Sequence, residues 1–77
     1  MGTMQNIDPS TFRAFLEYKG LNHIRDKGGH EIWSRKDMLR PVIFQSHISP
    51  VPEFIIRNNL RNMGSTKKEL MEFLAGK

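Results

Sequence analysis

A histidine directly follows a pair of glycines at Gly28-Gly29-His30, and basic side chains stand just upstream at Arg25 and Lys27. A Gly-Gly pair between two strand-like runs predicts a tight hairpin, because type I′ and II′ turns need positive φ angles that glycine reaches without steric cost. Such a turn holds the next residue at a fixed place on the rim of the sheet. An unperturbed imidazole titrates near pH ~6.5, so it can accept or donate a proton at cellular pH. His30 is therefore the candidate for proton transfer, and the alternative interpretation is an ordinary surface histidine.

Basic side chains around this triplet are candidates for binding phosphate groups. Arg25 and Lys27 precede the glycines, and Arg35 and Lys36 follow the second predicted strand. Such cations contact nucleic-acid backbones and stabilise charge that develops on a reacting phosphate. We expect these four side chains to bind nucleic acid. The competing interpretation is that they are solvated cations on the surface of a sheet.

Two further histidines and the single tryptophan leave alternatives open. His23 and His47 offer a mechanism in which one histidine accepts a proton and another donates it, and strand register decides whether either lies near His30. Trp33 could stack on a nucleic-acid base, but packing in the core or at a protein interface is the interpretation that we favour. The histidines and carboxylates do not have the spacing of a closed metal site, so neither a metal nor a cofactor is expected.

Length and composition restrict the class of protein. At 77 residues the chain has room for one domain, expected over residues 4–77, and residues 1–3 are interpreted as a remnant of cloning. Cysteine is absent, which excludes disulfides and fits a reducing cytosol. No apolar run approaches ~18 residues and no signal-peptide pattern opens the chain, so neither a membrane span nor secretion is expected. A formal net charge of +4 favours a polyanionic partner.

Local signals in the first half of the chain predict one helix and three strands. Asp8 caps a helix that Gly20 ends, and apolar residues recur along it at helical spacing. Strands are predicted over residues 21–27, 30–35 and 40–47, of which the last is the richest in strand-forming residues.

Two helices are predicted in the second half. One begins near residue 53 and ends at Gly64, and the other begins at the capping box of Thr66 and Glu69 and ends at Gly76. Hairpin connections make neighbouring strands antiparallel. The predicted fold class is therefore α+β in the order α-β-β-β-α-α, with a three-stranded antiparallel sheet that carries helices on one face and leaves the other for solvent or a ligand.

Several motifs occur in this order along the chain. The Gly28-Gly29-His30 triplet follows a basic strand and is itself followed by Ile32 and Trp33, residues 60–64 end a helix as Leu-Arg-Asn-Met-Gly, and residues 69–74 form a short acidic and apolar helix. Over about residues 11–74 the chain resembles the HicA (YcfA-like) toxins of bacterial type II toxin-antitoxin systems. The triplet is the most specific part of this resemblance.

The resemblance implies a double-stranded-RNA-binding-like fold and an endoribonuclease that cleaves messenger RNA in the bacterial cytoplasm as part of a stress response. It also implies that His30 is catalytic and that a HicB-like antitoxin protein neutralises the chain. RNA cleavage without a metal requires proton transfer from the 2′-hydroxyl and to the leaving 5′-oxygen, and one histidine can serve at least one of these steps. The alternative function is a non-catalytic module that binds RNA or DNA.

Overall fold

The computed structural model describes residues 6–76, so the interpretation of residues 1–3 concerns a segment outside the described residues. The predicted α+β class and element order are confirmed. The elements are α1 (Pro9–Tyr18), β1 (Asn22–Lys27), β2 (His30–Ser34), β3 (Val42–Gln45), α2 (Glu53–Asn62) and α3 (Lys67–Ala75). The third strand is shorter than predicted, because Pro41 has no amide hydrogen for the ladder. Within residues 6–76, no helix has the length and apolar character needed to cross a membrane.

The sheet is antiparallel, with β2 between β1 and β3. Side chains on β2 alternate in burial: Glu31 and Trp33 are buried, whereas His30 and Ile32 are half-buried. Because successive side chains of a strand point to opposite faces, the first pair lies on the helix-covered face and the second pair on the open face. Within residues 6–76, the sheet therefore has one face covered by helices and one open face, as the sequence predicts.

The helices cover the other face and close a single core. The ring of Phe12 on α1 meets the ring of Phe44 on β3 edge to face, with centroids 5.1 Å apart. Apolar residues of the three helices supply most of the remaining core. Its least exposed side chains are Phe12, Phe15, Leu16, Val42, Phe44, Ile56, Met63 and Leu70.

Side-chain hydrogen bonds cap the amino-terminal ends of two helices. Asp8 caps α1 by accepting a hydrogen bond from the amide of Thr11 at 2.8 Å. The predicted capping box of Thr66 and Glu69 is present at the start of α3, where each side chain accepts a hydrogen bond from the other residue's amide. Both predicted helix starts are thus confirmed.

A buried asparagine on α2 protects the outer edge of the sheet. The Asn59 Nδ2 donates to the Ile43 carbonyl at 3.0 Å, and its Oδ1 accepts from the Ile43 amide at 3.4 Å. These bonds take the place of a fourth strand, since β3 would otherwise present unpaired backbone groups there. They also hold α2 beside β3.

Glu69 links α3 to the end of α1. Its Oε2 accepts from the Lys19 Nζ at 2.8 Å and its Oε1 from the Ser65 Oγ at 2.6 Å. The hydrogen bond from Lys19, followed by that from Ser65, lowers the pKa of Glu69 from 4.5 to about 2. A lowered pKa in the folded state means that ionised Glu69 stabilises the fold above pH 4.5, and that this contribution is lost as the pH falls towards about 2.

We expect Glu69→Gln to remove this pH dependence while keeping the capping box, because glutamine also serves at that position. The free energy of unfolding should be lower than that of the unmodified chain at neutral pH, and the difference should shrink as the pH falls from 4.5 to about 2. Urea unfolding at a series of pH values measures this. Glu72→Gln, at an exposed position of the same helix, is the control. A difference that does not change with pH would contradict the assignment.

Candidate functional site

The turn between β1 and β2 has the predicted form. Gly28 and Gly29 have φ angles of 58° and 82°, which are the positive values of a type I′ turn. Lys27 and His30 are the first directly opposed pair of the hairpin. The turn therefore delivers His30 to the first position of the central strand, as the glycine pair indicated.

Three of the candidate residues share the open face near this turn. Directly opposed residues lie on the same face, so Lys27 lies beside His30, with about 5 Å between their Cβ atoms. Arg25 is two positions before Lys27 and therefore on the same face. Neither cation is in an ion pair among residues 6–76. A half-buried imidazole thus has two exposed positive charges next to it, an arrangement that can attract an anion and exchange a proton with it.

On the helix-covered face of the sheet, next to this turn, Glu31 forms a buried ionic network. The Nε of Arg13 on α1 donates to both carboxylate oxygens of Glu31, at 2.9 and 2.8 Å, and its Nη2 also donates to Oε2. The Nε1 of Trp33 donates to the same carboxylate at 3.0 Å. Only 6% of the Glu31 side chain is exposed. Glu31 directly follows His30, so the network fixes one side of the candidate residue.

The other side of His30 is fixed through Ser46. Its amide donates to the Gly29 carbonyl at 2.9 Å, and its hydroxyl donates to the same oxygen at 3.2 Å. The Arg13 Nη2 donates to the Ser46 carbonyl at 3.3 Å, which joins these bonds to the ionic network. Both neighbours of His30 in the chain are therefore held against α1 and β3.

The charge state of Glu31 follows from these bonds. Burial raises the pKa of the Glu31 carboxyl, but hydrogen bonds from Arg13 and Trp33 outweigh burial, and the net effect is a pKa below the ordinary value. Neither Glu31 nor Arg13 was among the site residues predicted from the sequence. The signal in the sequence was that Glu31 stands two positions before Trp33, so that both side chains lie on the face of the strand that packs against the core.

Arg35 and Lys36, the other predicted nucleic-acid contacts, are not brought together with His30. They follow the last residue of β2, whereas His30 is the first, so the sheet separates them by about 15 Å or more. The Arg35 Nη1 donates to the Lys19 carbonyl at 2.6 Å and its Nη2 to the Met63 carbonyl at 3.0 Å. Arg35 thus ties together the carboxyl ends of α1 and α2, and its contact with nucleic acid stays a prediction.

The other two histidines occupy different places relative to His30. His23 opposes Trp33, three positions from His30 along β2, and an odd separation places it on the other face. Its ring stacks on Trp33 with centroids 5.1 Å apart and hydrogen-bonds to Asp26 at 2.9 Å. His47 follows β3, and its Cε1 would lie 3.1 Å from a Cβ placed on Gly29. Of the two, only His47 lies at the turn.

Trp33 is a core residue, as favoured from the sequence. It is 3% exposed and its Nε1 is committed to Glu31, so it has no free face for a base. Among residues 6–76, no three or more His, Asp, Glu or Cys side chains are grouped so that they could hold a metal ion.

The two glycines of the turn are expected to differ in their tolerance of a side chain. At Gly29, alanine would meet the His47 ring at 3.1 Å as well as an unfavourable φ, so Gly29→Ala should destabilise the fold by about 2 kcal/mol. A Cβ added at Gly28 would meet no atom of residues 6–76 within 4 Å apart from its chain neighbours, and the φ penalty alone should cost about 1 kcal/mol for Gly28→Ala. Gly28→Asn should be nearly neutral, because Asn-Gly is favoured in type I′ turns.

Urea unfolding of the three variants measures these differences. Adding His47→Ala to Gly29→Ala removes the steric contact and should recover part of the loss, whereas the backbone penalty should remain. If Gly28→Ala and Gly29→Ala lost the same stability, the His47 ring would not restrict the side chain at position 29.

Comparison with known proteins identifies no relative: no protein-family model, curated protein or solved structure matches this chain.

Proposed function

We propose that this chain is a metal-independent endoribonuclease in which His30 transfers a proton. The observation that carries the proposal is the type I′ turn, which presents a half-buried imidazole on the open face of the sheet with Lys27 directly opposite. Arg25 adds a second positive charge on that face. An imidazole held between fixed neighbours and flanked by cations has the components that phosphodiester cleavage needs.

The reaction that suits these groups begins with attack of the ribose 2′-oxygen on the adjacent phosphorus. The bond from phosphorus to the 5′-oxygen then breaks, which leaves a 2′,3′-cyclic phosphate and a 5′-hydroxyl. His30 either removes the proton from the 2′-hydroxyl or gives one to the 5′-oxygen, and water serves the other transfer. Lys27 and Arg25 stabilise the additional negative charge on the pentacoordinate phosphorus.

The biological role that we propose is that of a HicA-like toxin. The resemblance of the Gly28-Gly29-His30 triplet and of the element order to that family supports messenger RNA as the substrate. It also supports a HicB-like antitoxin protein as the neutralising partner and the bacterial cytoplasm as the compartment. The exposed cations around His30 suit an acidic or strand-forming partner that covers the site.

Incubation of the purified chain with messenger RNA in the presence of EDTA tests the activity. We expect fragments with 5′-hydroxyl and cyclic-phosphate ends, and no cleavage of DNA of the same sequence, because DNA lacks the attacking 2′-hydroxyl. Binding of RNA by the chain without any cleavage would contradict the proposal and favour the non-catalytic binding module.

Expression in bacteria tests the biological role separately. We expect growth arrest when the chain is expressed alone, and relief when the product of a neighbouring reading frame is expressed with it. Normal growth at a confirmed level of the folded chain would contradict the toxin assignment.

A further inference from the structure

A cleft opens beside His30, between β3 and the first turn of α2. Its volume is about 320 Å³, which is at the lower end of the range for small-molecule sites. It is mostly apolar, and two of its large apolar side chains remain exposed: Phe54 is 62% exposed and Ile43 is 43% exposed. The lining residues that matter here are His30, Ile43, Gln45, Pro52, Phe54 and Ile55.

Three side chains of different chemistry form a row across the open face at this cleft. Lys27 opposes His30 on one side, and Gln45 opposes it on the other. With strands ~4.8 Å apart, the row extends about 10 Å from a cation, through an imidazole, to an amide. A nucleotide offers a complementary group to each of these side chains in the same order, since its phosphate, ribose and base follow one another over a similar length.

We infer that the cleft binds one unstacked base of single-stranded RNA, next to the phosphate that is cleaved. The exposed ring of Phe54 offers a stacking surface, and bases of single-stranded RNA stack on such aromatic rings. The Gln45 amide has both donors and acceptors for the edge of a base. This inference rests on the proposed function and extends it to substrate recognition.

The position of His30 links the cleft to the reaction. His30 lines the cleft and also lies beside Lys27, so a base in the cleft brings its own ribose to the imidazole and its phosphate to the cation. The positive charges at Lys27 and Arg25 complement the phosphate backbone and favour RNA over an uncharged apolar partner. Binding of the base therefore orients the 2′-hydroxyl for proton transfer.

Fluorescence binding of a short RNA oligonucleotide tests the inference. The probe contains 2-aminopurine and carries a 2′-O-methyl group at every position, so it remains an RNA analogue that binds without being cleaved. We expect Phe54→Ala to weaken binding by about 10-fold and to abolish the quenching of 2-aminopurine, because the stacking surface is lost. Phe54→Tyr keeps the aromatic face and should restore both. Leu39→Ala, at a fully exposed position in the loop before β3, is the matched control.

Cleavage of natural RNA gives a second measurement. Phe54→Ala and Gln45→Ala should change which sites are cleaved, whereas Leu39→Ala should not. Unchanged binding and an unchanged cleavage pattern in Phe54→Ala would overturn the base site and leave the ribonuclease proposal intact. Binding that depends on Phe54, without cleavage of natural RNA by the unmodified chain, would support the base site and overturn the ribonuclease proposal.

Discussion

Replacement of His30 by alanine is expected to lower the rate of RNA cleavage by about 10²- to 10⁴-fold, the usual contribution of one acid-base group. The physical reason is that neither of the residues that flank His30 across the sheet, Lys27 and Gln45, is an imidazole that could replace it in the proton transfer. Stability should change little, because His30 is only half-buried and its strand pairing depends on backbone bonds. Single-turnover cleavage of labelled RNA measures the rate, and urea unfolding confirms the fold.

The other histidines supply the matched controls. His23→Ala should cleave at the rate of the unmodified chain, because the His23 ring stacks on Trp33 on the opposite face of the sheet. His47→Ala tests the mechanism with two histidines, since His47 lies against Gly29 at the turn. A loss in His47→Ala equal to that in His30→Ala would make His47 the second proton carrier. Cleavage by His30→Ala at the original rate would refute the catalytic assignment.

Replacement of Arg13 by alanine is expected to lower the free energy of unfolding by about 2–3 kcal/mol. The loss arises because the Glu31 carboxylate, which is 6% exposed, remains in the core without its cation. The value lies below that of a fully buried ion pair, because 34% of the Arg13 side chain is exposed to solvent. Denaturation by urea at neutral pH measures the loss.

Two comparisons separate this effect from the general cost of removing an arginine. Arg57→Ala breaks an exposed ion pair with Glu53 on α2 and should cost no more than about 0.5 kcal/mol. In a Glu31→Gln background, Arg13→Ala should cost less than in the unmodified chain, because a neutral amide remains in the core in place of a charge. Equal losses in the two backgrounds would show that the buried carboxylate is not the cause.

The network also makes stability depend on pH. Because the pKa of Glu31 is lower in the folded chain than its ordinary value of 4.5, the ion pair stabilises the fold above that pH and its contribution is lost as the pH falls below it. Acid should therefore weaken the packing of α1 against the strand that carries His30. Loss of activity in acid would then combine this effect with protonation of the reacting groups.

The elements and the hairpin could be predicted because their signals are local. Positive φ at Gly28 and Gly29 is a property of two consecutive residues, and the capping box of Thr66 and Glu69 spans one turn of helix. Apolar spacing within α1 likewise indicated which of its sides enters the core. These features depend on neighbours in the chain, so a single sequence contains them.

The partners of several polar residues could not be predicted, because they come from distant parts of the chain. Glu31 is paired with an arginine 18 positions away, and Asn59 reaches a backbone group 16 positions away. Nothing in the sequence indicated that Arg35, a predicted nucleic-acid contact, donates hydrogen bonds to the ends of two helices. The charge of a basic side chain does not by itself show whether the side chain binds a ligand or connects two secondary-structure elements.

The sequence by itself determined that a glycine turn presents His30 at the start of a strand in an α+β domain, because turn and helix signals act over a few residues. Only the tertiary structure decided which side chains surround that histidine. Strand register set Lys27 and Gln45 beside it, and the docking of α2 against β3 placed Phe54 at the adjacent cleft. Register and docking depend on contacts between distant segments, and those contacts form only when the whole core assembles.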